Sequence, residues 1–353
     1  VENGRAPCQS RHLGCAARAA LIVSGFALSW NYKAPWWLPG GNLQTIYAAK
    51  VARQHQPTGI QWSRERWTAP DGDFIDVDWL IHPFVQKDAP LLVLFHGLEG
   101  SSNSHYAQAF AGEVQQRGWR LAMPHFRGCS GELNLSPRAY HSGDHEEIGW
   151  LLSKFRKTHD AAMYAVGISL GGNALMRWAG EQGHAASAEI DGIASVCSPL
   201  DLAASGHAID RGFNKRVYAR MFLASMKPRA LQKLNQFPGL FDPHALMRVD
   251  TLYGFDNIFT APLHGFKDTN DYWSRASAKR DLASVRVPAL VLNARNDPFI
   301  PASSLPKFEE VSDWVQLWQP NAGGHVGFTG GTFPGHLSDM PKAVVEWLKQ
   351  VSI

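Results

Sequence analysis

Cysteine is scarce: Cys8, Cys15, Cys129 and Cys197 are the only four in 353 residues. No C-x-x-C pair occurs among them, which excludes the usual zinc spacings and makes free thiols the expectation. An excess of one charge is also missing. Lys and Arg number 34 against 31 Asp and Glu, a formal net charge of +3, and no block of like charges occurs. A nucleic-acid partner is therefore not expected, since such proteins carry a strongly basic face. No apolar run reaches the ~18 residues of a membrane span, so no obligate membrane anchor is expected. H-E-x-x-H and G-x-G-x-x-G are both absent, and neither a metal nor an organic cofactor is called for. What remains is a packed globule, 45% hydrophobic and 18% charged.

Residues 1–31 match no element and are expected to form a disordered extension. Ala16 to Trp30 is mildly apolar, and a weak secretory signal is the other reading, although Arg18 interrupts it and no cleavage site follows. A cytoplasmic location is the expectation. Trp62 to Thr68 and Phe74 to Ile81 read as strands around Pro70-Asp71-Gly72, after an irregular, aromatic stretch from Pro35 to Gly41. Leu91 to Phe95 is a continuous apolar run of the buried-strand type. From there strands and helices alternate. Strands are expected at Trp119–Met123, Met163–Ile168, Ile190–Val196, Ala289–Asn293 and Val315–Trp318. Helices are expected at Ser104–Arg117, Gly143–Phe155, Leu170–Ala179, Ser303–Val311 and Leu337–Val351. Such alternation implies an α/β protein with a mainly parallel, twisted sheet and helices on both faces. The stretch from Asp201 to Asp281 is too long for a simple connection. It reads as a helical cap inserted into a core of residues 32–200 and 282–353.

Gly167-Ile168-Ser169-Leu170-Gly171 stands where a strand passes into a helix, the context that makes G-x-S-x-G a nucleophile elbow. Ser169 is the candidate nucleophile. The flanking glycines keep strand and helix backbones close, and the Leu170 amide lies at a helix N-terminus, where developing negative charge is favoured. A serine needs a base, and in this architecture the chain order is Ser, acid, His. His325, in Gly323-Gly324-His325-Val326-Gly327, is the candidate base. Asp297, in Asn296-Asp297-Pro298, is the favoured acid, with Asp201 as the alternative. The second oxyanion donor is expected from the Leu98 amide in His96-Gly97-Leu98-Glu99-Gly100, with His96 bracing that loop. The loop Phe126 to Gly131 is read as shaping a pocket or the sheet edge. His141, Asp144, His145 and Glu146 are read as a solvated helix start rather than a metal site. Cys197, in an apolar run, is expected to pack as a small hydrophobe.

These pieces resemble the YheT-like branch of the α/β-hydrolase superfamily, which includes abhydrolase-domain lipases and medium-chain ethyl-ester synthase/esterases. The matching stretches are Trp36-Trp37-Leu38 with Leu43-Gln44-Thr45-Ile46, Asp71 to Asp76, His96 to Ser101, Phe126 to Gly131, Tyr140 to Gly143, Gly167 to Gly172, Asn296-Asp297-Pro298 and Gly323 to Phe328. The resemblance runs from about Tyr32 to Trp347. It implies the α/β-hydrolase fold, Ser169, Asp297 and His325 as the charge-relay residues, and hydrolysis of carboxylic esters, with acyl transfer to alcohols in some members. Asn42 departs from the pattern, standing where many relatives have histidine.

The expected activity is therefore that of a serine carboxylesterase acting on a small-molecule ester or lipid, with short- to medium-chain acyl groups. Phe213, Met221, Phe222, Phe255, Phe259 and Trp273 are the expected lining of an apolar acyl pocket. An acyltransferase or thioesterase would use the same groups. A non-catalytic binding module on the same scaffold is the reading from a different class, and it would not require all three of them.

Overall fold

The computed structural model of the chain describes residues 30–52, 59–83 and 85–351. Apart from residues 30 and 31, the expected N-terminal extension, its signal-like stretch, Cys8 and Cys15 lie outside the described residues. Trp30 itself packs edge-on against Trp318, with ring centroids 4.7 Å apart.

Eight strands make one sheet: β1 (Trp62–Thr68), β2 (Phe74–Leu80), β3 (Leu91–Phe95), β4 (Arg120–Pro124), β5 (Met163–Ile168), β6 (Gly192–Val196), β7 (Ala289–Leu292) and β8 (Val315–Trp318). Their spatial order is β1-β2-β4-β3-β5-β6-β7-β8. β2 pairs antiparallel with β1 and with β4, and every other neighbouring pair is parallel. The central strands are apolar along their whole length because both faces are covered. Leu91, Val93 and Phe95 of β3 enter one core, with Leu151 and Phe155 of one helix and Trp178 of another. Leu92 and Leu94 enter the opposite core, with Phe110, Val114, Val344 and Trp347. β1, at the edge, is mostly exposed and carries Arg64, Glu65 and Arg66, charges that discourage pairing with another chain.

The helices before and around the sheet are α1 (Gly41–Lys50), α2 (His105–Gln116), α3 (His145–Arg156) and α4 (Leu170–Gln182). Between β6 and β7 the chain is helical almost throughout: α5 (Leu202–Ile209), α6 (Arg220–Gln236), α7 (Pro243–Arg248), α8 (Leu252–Phe255) and α9 (Thr269–Ala276). π-helical turns, Lys215–Ala219 and Asp256–Thr260, lead into α6 and out of α8. The final helix is α10 (Asp339–Gln350).

One element differs from the sequence expectation. Ser303–Val311 is not a helix but two 3₁₀ turns, Ala302–Ser304 and Phe308–Glu310. Pro306 lies between them. It lacks an N–H and pushes Leu305 out of the helical region, to φ −60° and ψ 145°. The aromatic stretch Tyr253 to Trp273 is mostly helical. Leu252, Phe255 and Phe259 pack with Leu223 and Leu246 and with Phe299, Ile300 and Leu305 from beyond β7, while Tyr272 and Trp273 pack with Leu202 and Ala261.

Candidate active site

Ser169 sits between β5 and α4 with φ 52° and ψ −118°. A side chain larger than glycine rarely adopts that conformation, so the turn is strained, and the strain holds Oγ above the sheet rim. The flanking glycines are required by close approach. A methyl group on Gly171 would lie 2.6 Å from the His96 carbonyl oxygen, and one on Gly167 would lie 2.6 Å from that of Gly171. The Ser169 amide is held by the Val196 carbonyl at 2.9 Å.

Three loops at the same end of the sheet converge on this bend. Ser169 Oγ donates to His325 Nε2 at 3.0 Å, and His325 Nδ1 donates to Asp297 Oδ2 at 2.8 Å. An ionised carboxylate only accepts, which fixes the imidazole tautomer and leaves Nε2 free to take a proton. The other Asp297 oxygen accepts from the Phe299 amide at 2.8 Å, and the Phe299 ring packs 4.3 Å from the imidazole. Asp201, the alternative acid, is otherwise engaged: it caps α5, accepting from the Ala204 amide at 3.0 Å. Cys197 is buried beneath the His325 loop, where its sulfur accepts from the Val326 amide at 3.3 Å. Burial raises its thiol pKa, and the Asp297 charge adds to the rise, so it stays a neutral packing group.

Helix α1 lies outside every sequence-predicted site residue, yet it joins the acid and base loops. Gln44 is 1% exposed. Its Oε1 accepts from Asn296 Nδ2 at 3.0 Å and from the Gly323 amide at 2.9 Å, while Nε2 donates to the Leu38 carbonyl. Thr45 Oγ1 accepts from the His325 amide and donates to the Gly41 carbonyl, both at 2.8 Å. Asn296 Oδ1 accepts from the Gly324 amide at 2.9 Å, closing the clamp. Asn42 accepts from the Tyr218 hydroxyl at 2.9 Å and so ties α1 to the helical insertion. Gln44 and Thr45 are both buried on the inward side of α1, which only the folded structure reveals.

Leu98 follows β3 in a loop that lies against the nucleophile; a methyl on Gly97 would stand 3.2 Å from Ser169 Cβ. In this loop the amides of Gly97, Glu99 and Gly100 donate to Tyr106, Tyr140 and the Gly97 carbonyl, each at 3.0 Å. The Leu98 amide donates to no acceptor among the described residues. The Leu170 amide opens α4, where helix geometry offers no partner. His96 braces the loop as expected. Its Nε2 accepts from the Phe126 amide at 2.9 Å, and Nδ1 donates to the Gly97 carbonyl at 2.7 Å. Burial, reinforced by His125, pushes this imidazole down to about 3, so it is neutral.

The remaining sequence candidates separate. In the Phe126 to Gly131 loop, Arg127 and Gly128 line a chamber beside Leu98 and Leu170. Asp144 does not belong to a solvated helix start. It is 4% exposed and paired with Arg138 at 2.5 Å, whereas Glu146 is exposed. No cluster among the described residues has the donors to hold a metal ion. A cavity of about 660 Å³, its open mouth included, lies over Ser169 and is walled by Ile209, Phe222, Leu252, Trp273 and Phe299. Of the aromatic and sulfur side chains expected there, Phe222 and Trp273 line it, Phe255 and Phe259 line the adjoining chamber, and Phe213 and Met221 are exposed.

The family pattern described as "alpha/beta hydrolase fold" matches residues 90–332. The chain is 37% identical over 310 residues to a protein of Escherichia coli (strain K12) named "Putative esterase YheT", covering 87% of this chain and 89% of that one. It is 28% identical over 295 residues to the monoacylglycerol lipase of Saccharomyces cerevisiae (strain ATCC 204508 / S288c), covering 79% and 63%. The solved structure of Est1E from Butyrivibrio proteoclasticus, with ferulic acid bound, superposes with a TM-score of 0.53 at 15% identity, over 81% of this chain and 98% of that one. That likeness bears on the fold alone. The sheet order, the strained serine turn and the sequence relatives agree: the chain belongs to the α/β-hydrolase family and is a hydrolase that acts on ester bonds.

Proposed function

We propose that this enzyme is a serine carboxylesterase that forms an acyl-enzyme on Ser169, with His325 as general base and acid and Asp297 orienting the imidazole. Ser169 Oγ attacks the ester carbonyl carbon as its proton passes to His325 Nε2. The oxyanion takes hydrogen bonds from the Leu98 and Leu170 amides, donors fixed before the reaction begins. The carbon–oxygen bond to the alcohol breaks, and His325 protonates the departing oxygen. His325 then takes a proton from water, whose oxygen attacks the acyl carbon. The acid leaves, and Ser169 regains its hydrogen.

The observation that carries this reading is the unbroken hydrogen-bonded series Ser169–His325–Asp297 at one rim of the sheet. The apolar walls above Ser169 support a preference for short- to medium-chain acyl groups, and residues 201–281 act as a cap over a core of residues 32–200 and 282–353. Substrates are small-molecule esters or lipids, as the names of the relatives suggest.

The test is labelling with a fluorophosphonate probe, followed by a nitrophenyl ester series from acetate to dodecanoate. Wild type takes one label, and Ser169→Ala takes none and loses turnover. Labelling that persists in Ser169→Ala overturns the nucleophile. Rates that fall steadily from acetate overturn the acyl preference.

A further inference from the structure

Several polar side chains line the largely apolar cavity over Ser169 without a part in the proposed acyl transfer; Ser142 is engaged elsewhere, its Oγ accepting from Asn173 Nδ2 at 3.4 Å. Asp256, Tyr272 and Ser205 all line it. Ser205 is 2% exposed, and its Oγ has no hydrogen-bond partner among the described residues. The Tyr272 hydroxyl accepts from the Ser142 amide at 2.9 Å, while its own hydrogen goes to no acceptor among the described residues. Asp256 Oδ2 accepts from the indole N–H of Trp273 at 2.8 Å. The carboxyl stands at a junction: Asp256 and Tyr272 line both the Ser169 cavity and the chamber beside it. It is carried there on a π-helical turn, the kind of local distortion that often re-aims a side chain at a functional site.

An unpartnered hydroxyl inside an apolar wall costs free energy that alanine would avoid. Ligand pockets use a few such groups to fix orientation against an otherwise apolar lining. The set here has a defined complement. A carboxylate accepts, a phenol with a free hydrogen donates, and a serine does either. A substrate hydroxyl, which donates once and accepts twice, satisfies all three. Within the Ser169 cavity Asp256 is the one charged side chain in the lining, too little opposite charge for a metal ion or a multiply charged anion there; the charges of Glu99, Arg127, Arg229 and Lys233 line the adjoining chamber.

We propose that Asp256, Tyr272 and Ser205 form a subsite that binds a free hydroxyl group carried by the substrate, making the preferred ester a hydroxylated one. The inference rests on the Ser169 reading above. The hydroxyl can sit on the alcohol portion or on the acyl chain, and two substrate pairs separate those sources: propyl against 2,3-dihydroxypropyl octanoate, and ethyl octanoate against ethyl 3-hydroxyoctanoate.

In wild type, the hydroxylated member of one pair should be favoured about tenfold or more in kcat/KM, the scale of one well-formed hydrogen bond. Asp256→Asn and Ser205→Ala should each bring that ratio towards one. A ratio near one for both pairs in wild type, or a preference that survives both substitutions, overturns the subsite. Binding provides a second readout that needs no turnover. Ser169→Ala should bind 3-octyloxy-1,2-propanediol more tightly than octyl propyl ether if the hydroxyl lies on the alcohol side, and 1-ethoxyoctan-3-ol more tightly than ethyl octyl ether if it lies on the acyl side, as titration calorimetry will measure. If wild type hydrolyses none of the four esters, the Ser169 reading falls, and the ether measurements still decide the subsite. Equal affinity within both ether pairs overturns it.

Discussion

Asp73 is a buried carboxylate and Asp256 a half-buried one, and their surroundings treat charge in opposite ways. Asp73, at the head of β2, accepts from the amides of Phe74, Leu135 and Ser136, from Ser136 Oγ and from Asn134, and pairs with Arg127 at 2.9 Å. Burial pushes its carboxyl up, but the hydrogen bonds from Ser136, Asn134, Leu135 and Phe74 outweigh that and hold it far below the ordinary carboxylate range. Asp256, between β6 and β7, has only Trp273 and Thr260 as donors among the described residues. Burial pushes it up to about 6, and the Asp210 charge adds to the rise. The sheet therefore saturates its buried acids and gains a fixed frame. The stretch between β6 and β7 leaves a half-buried one under-satisfied beside a cavity, the arrangement expected of a surface that a ligand completes.

Asp297 has one oxygen committed to the Phe299 amide and the other to His325. It offers the largest test of the comparison. Asp297→Asn keeps the shape but can donate where His325 needs an acceptor, so the wrong imidazole tautomer faces Ser169. The corresponding aspartate-to-asparagine change in a serine protease lowers kcat about 10⁴-fold, and a loss on the order of 10³–10⁴ is expected here. Steady-state kinetics on a nitrophenyl ester will measure it. A loss under tenfold would remove Asp297 from the orienting role and reopen the question of which acid serves.

The next effect is on stability. Asp73→Asn removes the anion that Arg127 and the Leu135–Ser136 amides share, leaving strong donors poorly matched in a buried place. A loss of about 2–4 kcal/mol at pH 7 is expected in urea unfolding. The pH dependence has a definite sign. The folded carboxyl titrates below its unfolded value of about 3.9, so its contribution is complete above that pH and is lost as pH falls through the folded value. The gap between wild type and Asp73→Asn should therefore be constant from pH 6 to 8 and narrow below about pH 4. A gap that widens in acid would show that the carboxylate was not the stabilising form.

Sequence made the frame legible and left the clamp and the subsite hidden, for physical reasons. β3, β5 and β7 announce themselves because burial on both faces demands unbroken apolar runs. Ser169 and His325 stand out because their turns need glycine beside them. Gln44 and Thr45 do not. Their partners at Asn296, Gly323 and His325 lie more than 250 positions away, and a buried Gln has no periodicity to betray it. Ser205, Asp256 and Tyr272 come from three separate helical segments, and only folding brings them to one cavity. Ser303–Val311 shows the opposite failure: apolar spacing suggests a helix that Pro306 forbids. Asp144 reads as solvated because a helix start is usually wet, whereas here Arg138 pairs with it under cover of the insertion.

The smallest expected effect has the most diagnostic sign. Asp256 titrates in the folded protein at about 6, above the unfolded value of about 3.9. A raised carboxyl contributes its stability below the unfolded value and loses it as pH rises through the folded one. At pH 8 the fold therefore carries a penalty for keeping this half-buried group ionised against a largely apolar wall. Asp256→Asn removes the charge while keeping an acceptor for the Trp273 indole, so it should stabilise the protein by about 1–2 kcal/mol at pH 8. Near pH 4 the gain should vanish. Thermal or urea unfolding at the two pH values measures it, with Asp73→Asn as the variant of opposite sign. A stabilised Asp256→Asn that has also lost its preference for hydroxylated esters would mean the carboxylate is kept at the expense of the fold because the substrate needs it. A destabilised Asp256→Asn at pH 8 would instead place Asp256 with Asp73, as one more saturated acid of the frame.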